Sequence, residues 1–193
     1  MTFDDKTALV VVDVQNDFAD PSGSLYVSGG EEVVAIANEV MIEAAGAGAH
    51  IFYTQDWHPE STPHFEKDGG VWPVHCVHDT WGAEFHPDLN VVGESVRKGT
   101  GGEDGYSGFT VRDPKTGMEK PTELEGRLRA LGVERVVVLG LATDYCVKET
   151  VIDAVHKGFE TVAIGRGIRP VDLEPGDGDR AVAEMEAAGA RVE

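Results

Sequence analysis

The stretch over residues 136–150, VVVLGLATDYCVKET, limits what this chain can become more than any other. Val136-Val137-Val138-Leu139 is apolar and largely β-branched, with no polar alternation. That is the pattern of a strand buried on both faces of a parallel sheet. Gly140 and the small residues Ala142 and Thr143 follow, where the chain must turn tightly. A helical pattern then runs through Asp144-Tyr145-Cys146-Val147 to Gly158. Cys146 is therefore expected at or just inside a helix N-terminus, at the carboxyl end of a strand. Free backbone N–H groups and the helix dipole are expected to lower its thiol pKa there.

Two more apolar runs end in the same way. Thr7-Ala8-Leu9-Val10-Val11-Val12 is followed by Asp13, and His50-Ile51-Phe52-Tyr53-Thr54-Gln55 by Asp56. Between them Val33, Val34, Ile36, Ala37, Val40, Met41 and Ala44 recur at helical spacing, which predicts a helix over 31–47 and completes a right-handed strand–helix–strand unit. Thr122-Glu123-Leu124-Glu125 matches a capping box that opens a helix to Leu131, stopped at Gly132. Further strands are expected over 95–98, 135–139, 160–164 and 191–192, and further helices over 145–157 and 179–188. The alternation predicts an α/β fold of three layers: a doubly wound, mostly parallel sheet with helices on both faces, in one domain spanning 1–193.

Composition sets outer limits. The 193 residues suffice for one such domain, and no stretch approaches the roughly 20 apolar residues of a membrane span. The first residues lack the basic and apolar regions of a signal peptide. Two cysteines, Cys76 and Cys146, are too few for a disulfide framework, so a reducing cytoplasm is expected. The formal net charge of −19, from 35 acidic and 16 basic residues, repels nucleic acid and anionic membranes. Neither is expected as a partner; a small molecule is. Homo-oligomerisation is left open.

The sharpest local signal is Asp56-Trp57-His58, then His64, then His75. One carboxylate and three imidazoles suit a divalent ion: Zn²⁺ first, with Fe²⁺ or Mn²⁺ as alternatives. Such a mixed N/O set keeps coordination positions open for water or substrate. Pro59, Pro63 and Pro73 stiffen the loop that carries it; Cys76, beside His75, reads as packing. The Gly-rich loop over 99–108 lacks the spacing and the Lys-Ser/Thr end of a phosphate loop. Asp13, Asp56, Lys98 and Cys146 all fall at or after strand ends and can face one crevice. There Asp13 can accept the Cys146 proton, and Lys98 is expected to lower the pKa of both by proximity.

The motifs 12-VDVQNDF-18, 54-TQDWH-58, 72-WPVHC-76, Lys98-Gly99, 106-YSGF-109 and 140-GLATDYCV-147, in this order, resemble the isochorismatase-like cysteine hydrolases, and the nicotinamidases (pyrazinamidases) among them. The resemblance implies a catalytic triad of Cys146, Asp13 and Lys98, and metal ligands at Asp56, His58, His64 and His75. It implies a cis peptide at Leu141-Ala142 and an oxyanion hole from the N–H groups of Ala142 and Cys146. Phe18, Trp72 and Tyr106, with Leu141 and Ala142, match positions around the ring of the substrate. The implied activity is hydrolysis of nicotinamide, and of pyrazinamide beside it, through a thioester. The alternative is a related amidohydrolase with another small amide. Gly165-Arg166-Gly167 and the acidic loop over 172–179 depart from the pattern.

Overall fold

The computed structural model describes residues 2–193. In chain order the elements are β1 (Thr7–Val12), α1 (Asn16–Ala19), α2 (Gly30–Gly46), β2 (His50–Asp56), β3 (Glu94–Lys98), β4 (Thr110–Arg112), β5 (Glu119–Pro121), α3 (Leu124–Ala130), β6 (Arg135–Leu141), α4 (Lys148–His156), β7 (Glu160–Arg169), α5 (Asp177–Ala188) and β8 (Arg191–Val192). Six strands form one sheet in the order β3-β2-β1-β6-β7-β8, and every neighbouring pair in it is parallel. β4 and β5 form a separate antiparallel hairpin.

The period-2 geometry of a strand explains the layers. Leu9 and Val11 of β1, with Val137 and Leu139 of β6, pack against Val33, Ala37, Val40 and Met41 of α2. The residues between them, Ala8, Val10, Val12, Val136 and Val138, pack on the opposite face against Leu124 and Leu128 of α3, Val151 and Ala154 of α4, and Met185 of α5. Each central strand is thus apolar on both sides, which is why its sequence shows no alternation. The architecture is the three-layer, doubly wound α/β fold read from the sequence. No helix among the described residues is long and apolar enough to cross a membrane.

Strand order reverses between β1 and β6, and in open α/β sheets such a switch point leaves a crevice at the carboxyl edge. Asp13 follows β1 directly, and Cys146 lies five residues beyond the end of β6.

Four local features differ from expectation. The chain after β6 enters a π-helical turn over Thr143–Val147 before α4 begins, so Cys146 is inside a wide turn and not in the first turn of an α-helix. The capping box does not form: Thr122 Oγ1 donates to the Gly108 carbonyl and accepts from Leu124 N–H, while Glu125 is drawn to Lys157 at 2.9 Å. β7 continues past Ile164 to Arg169, because a register shift between Val138 and Gly140 lets Ile168 and Arg169 pair with Gly140 and Leu141. Gly165-Arg166-Gly167 therefore lies within a strand, and Arg166 reaches Glu39 on α2 through two hydrogen bonds of 2.9 and 3.0 Å. The β4–β5 hairpin, with only three residues per strand, gave no periodicity to read.

Candidate active site

Asp13 leaves β1 with φ of 50°, in the left-handed region that Asp tolerates better than most residues. Its carboxylate is fully buried. Oδ1 accepts from Thr54 Oγ1 at 2.7 Å, and Oδ2 meets Lys98 Nζ at 2.7 Å. Asp56 is clamped by Gln15, whose amide spans its backbone: Nε2 donates to the Asp56 carbonyl and Oε1 accepts the Asp56 N–H, both at 2.8 Å. Lys98 comes from the end of β3, beside Asp56 in register. Its Nζ donates to Asp56 Oδ1 at 2.5 Å and to the Gly105 carbonyl, and lies 3.6 Å from Cys146 Sγ.

An ammonium has three protons. Asp56, Gly105 and, at 3.6 Å, the Cys146 sulfur take them, while Asp13 Oδ2 faces the ammonium as an ion pair. A carboxylate oxygen of Asp13, one of Asp56 and Cys146 Sγ all lie within 4.8 Å of one another. This trio resembles a metal cluster, but Lys98 already supplies a cation to it.

Burial and charge oppose one another here. Desolvation pushes the Cys146 thiol well above its ordinary pKa, and Asp13 and Asp56 push the same way, outweighing Lys98. Desolvation, with help from Asp56, likewise raises Asp13 to about 6 against the pull of Lys98. Burial would lower Lys98, but Asp13 and Asp56 hold it well above its usual value. Burial would raise Asp56, but Lys98 and His58 keep it ionised. Lys98 does pull both pKa values down, as expected, but burial outweighs it, so the expectation of a net-lowered Asp13 and of a Cys146 lowered further by a helix terminus is corrected. The group is buried, and dehydration of an anion costs more than one shared cation returns. Cys146 rests as a thiol.

Next to this group the imidazoles of His58, His64 and His75 each place a ring nitrogen within 4.8 Å of the others. His75 Nδ1 bonds the Pro73 carbonyl and His64 Nδ1 bonds Asp104 Oδ1, both at 2.7 Å, which leaves their Nε2 atoms to face the cage. His58 is fully buried with neither ring nitrogen partnered. Asp56 Oδ2 lies 3.7 Å from His58 Nε2 and 3.9 Å from His75 Nε2. Donors bound to one ion at about 2.1 Å stand roughly 3–4 Å apart, so this set fits a divalent metal. Burial lowers His75 to about 4, which keeps it in the neutral, ligating form. Cys76 turns away: it is buried, desolvation raises its thiol, and its N–H donates to Asp17 at 2.7 Å. His78 pairs with exposed Asp79 and is outside the cage.

A narrow cavity opens between the two groups. Phe18, Trp72, Tyr106, Leu141 and Ala142 line it, with Asp56, His64, His75 and Cys146 at its polar end. Trp72 Nε1 donates to Tyr106 Oη at 2.8 Å, joining two walls. The Leu141-Ala142 peptide is cis. The side chains expected in the triad, the cage and the ring wall are thus in or beside this one crevice. The sequence reading missed Asp104, Gln15, Thr54, the Gly105 carbonyl, and Tyr145, Leu25, Val27 and Val171 in the cavity wall. Gln15 and Tyr145 stood inside recognised motifs; nothing local marks Asp104.

A buried Cys–Lys–Asp group beside an imidazole cage, at the switch point of a doubly wound sheet, defines an α/β protein built for chemistry on a small enclosed ligand. Residues 7–193 match the isochorismatase domain, and the chain belongs to that family. It is 39% identical to the nicotinamidase/pyrazinamidase of Mycobacterium tuberculosis, over 93% of this chain and 92% of that one. Among solved structures it is similar to the pyrazinamidase of Pyrococcus horikoshii in complex with zinc (TM-score 0.87, 38% identity, 97% of this chain and 98% of that one). It is also similar to PnC1 of L. infantum in complex with nicotinate (TM-score 0.90, 34% identity, 100% and 95% covered).

Proposed function

We propose that this protein is a nicotinamidase, hydrolysing nicotinamide to nicotinate and ammonia, with pyrazinamide as a second substrate. The observation that carries this reading is the position of Cys146 Sγ, 3.6 Å from a lysine that is itself 2.7 Å from Asp13, at the end of an aromatic-walled cavity. The similarity to enzymes named for this activity supports it.

Phe18, Trp72 and Tyr106 hold a flat ring and exclude water from the reacting group. Asp13, ionised at pH 7, takes the Cys146 proton as the sulfur attacks the carboxamide carbon. A base with a pKa near 6 is well matched to that task at neutral pH. Lys98 offsets the charge on the sulfur as it forms. The N–H groups of Ala142 and Cys146 receive the oxyanion, each worth about 3 kcal/mol when aimed at it. Asp13 returns its proton to the departing nitrogen as the C–N bond breaks, giving ammonia and a thioester. A water then loses a proton to Asp13 and attacks the thioester carbon; as the C–S bond breaks Asp13 returns that proton to the Cys146 sulfur, restoring thiol and carboxylate, and the product acid gives its proton to solvent and leaves as nicotinate.

Asp56, His58, His64 and His75 would hold the metal, with Zn²⁺ the ion named by this reading. When bound it supplies a Lewis acid that anchors the ring nitrogen of the substrate. The two free thiols accord with a cytoplasmic location, and residues 1–193 are read as one domain.

The test is ammonia release from nicotinamide by the parent protein and by Cys146→Ala. Turnover is expected to fall at least about 10³-fold in the variant, as when a nucleophile is removed from a catalytic unit. Zinc binding is expected to stay. Substantial ammonia release by Cys146→Ala would refute the thioester route.

A further inference from the structure

We propose that Asp104 is a positioning residue for the imidazole cage: it fixes the tautomer and orientation of His64, and the β4–β5 hairpin fixes Asp104. This rests on the metal reading of His58, His64 and His75 given above. Asp104 Oδ1 lies 2.7 Å from His64 Nδ1, across 40 residues of chain. The two side chains are only 12% and 4% exposed, so water competes poorly for that nitrogen. A carboxylate can only accept there. The ring proton is thereby held on Nδ1, and the lone pair on Nε2 is directed at the cage.

The three imidazoles differ in how they are held. His75 is oriented by a carbonyl two residues away in its own loop. His58 lies two residues past β2, and its N–H and carbonyl are pinned by backbone bonds of 2.9 Å to Cys76 and His78. His64 lies in the irregular segment between β2 and the 3₁₀ turn at Glu66–Asp68. It is the cage ring that takes its orientation from a side chain distant in sequence. Charge adds to the argument. Asp56 gives Oδ1 to Lys98, so its negative charge is shared between the cage and that ammonium. Asp104 supplies a second anion, one imidazole ring removed from where the ion would sit.

Asp104 is itself held by an isolated antiparallel bridge to the end of β4. Its N–H donates to the Arg112 carbonyl at 2.8 Å and its carbonyl accepts from Arg112 N–H at 3.0 Å. Arg112 Nη2 stands 3.7 Å from the other carboxylate oxygen. The hairpin, which carries none of the residues assigned to catalysis, thus reaches the cage through one carboxylate.

The experiment titrates metal-stripped parent, Asp104→Asn, Asp104→Ala and Asp104→Glu with Zn²⁺ against a chromophoric chelator. The visible spectrum of the Co²⁺ forms and the thermal midpoints with and without metal are recorded alongside. Zinc affinity is expected to fall about 10–100-fold in Asp104→Ala and Asp104→Asn, the usual cost of losing a partner behind a ligating histidine. The Co²⁺ band of Asp104→Asn is expected to shift, because the amide can turn its NH₂ toward Nδ1 and move the ring proton to Nε2. Asp104→Glu is expected to recover part of the affinity. Metal-free midpoints should match the parent, while the rise on adding metal shrinks. Zinc affinity and Co²⁺ spectra indistinguishable from the parent would overturn the role. So would a loss of metal-free stability with no spectral change, which would assign Asp104 to the hairpin alone. A parent that takes up no ion would instead bring down the cage reading, and this proposal with it.

Discussion

Lys98 Nζ lies 2.5 Å from Asp56 Oδ1, and the other oxygen of that carboxylate faces the imidazoles of His58 and His75. One buried carboxylate thus belongs both to the Cys146–Lys98–Asp13 group and to the cage. Neither half of the site is electrostatically complete alone. Asp13 and Asp56 put two negative charges into a dry crevice, and Lys98 is the ammonium between them.

Replacing Lys98 with Met leaves both carboxylates buried without that counter-ion. Breaking a buried pair from one side costs about 3–5 kcal/mol, and urea unfolding at pH 7 is expected to show a loss of that order. The sign with pH follows from the causes acting on Asp13. Without Lys98, only influences that raise its pKa remain dominant, so its folded value rises above about 6. A carboxylate whose folded pKa is raised destabilises the fold above its unfolded pKa, and the penalty is relieved as pH falls through the folded value. The deficit of Lys98→Met relative to the parent should therefore shrink between pH 8 and pH 5. A deficit that grows on acidification contradicts the arrangement.

Turnover should have an acid limb set by Asp13. The base acts when ionised, and burial, with Asp56 adding to it, raises its pKa to about 6. Below that value kcat/KM is expected to fall roughly tenfold per pH unit. A limb near pH 4, the range of an ordinary exposed carboxylate, would show that Asp13 is not the group titrating. The profile should be taken with saturating metal, so that loss of the ion at low pH is not mistaken for protonation of the base.

Gly99 follows Lys98 with φ of +74°, and a Cβ there would fall 2.5 Å from His58 Cε1 and 2.7 Å from its Nδ1. Gly48 has φ of +84° but open space around it. Gly48→Ala should cost only the left-handed backbone penalty, about 1–2 kcal/mol. Gly99→Ala should cost more, and should also weaken zinc binding by displacing His58. Equal losses of stability in the two variants, with equal zinc affinity, would show that Gly99 is needed for its backbone alone.

Much of this molecule was legible before any coordinates. The runs ending at Asp13 and Asp56, and the run opening into Cys146, mark strands because burial on both faces erases polar alternation, and that erasure is visible in a one-dimensional string. The spacing of Asp56, His58, His64 and His75 was readable because ligating residue types are few. Asp104 was not readable. It is one acid among 35, and its meaning comes from a 2.7 Å approach to a ring 40 residues away. The β4–β5 hairpin escaped for a related reason: its strands are too short to show a period, and the 113–118 turn between them carries no apolar pattern. The capping box did not form: Thr122 Oγ1 accepts from Leu124 N–H, and Glu125 is taken by Lys157, a partner from a distant segment.

The sequence by itself determined the order of the six sheet strands and of the helices that cover them, and which side chains stand at the carboxyl edge of the sheet. Those are consequences of local periodicity and of where an apolar run stops. Only the tertiary structure decided the sign of the electrostatics. Lysine beside cysteine suggests a lowered thiol pKa when water is present to solvate the anion. In the folded crevice the thiol is almost wholly buried, two carboxylates share the lysine, and the thiol keeps its proton until Asp13 takes it.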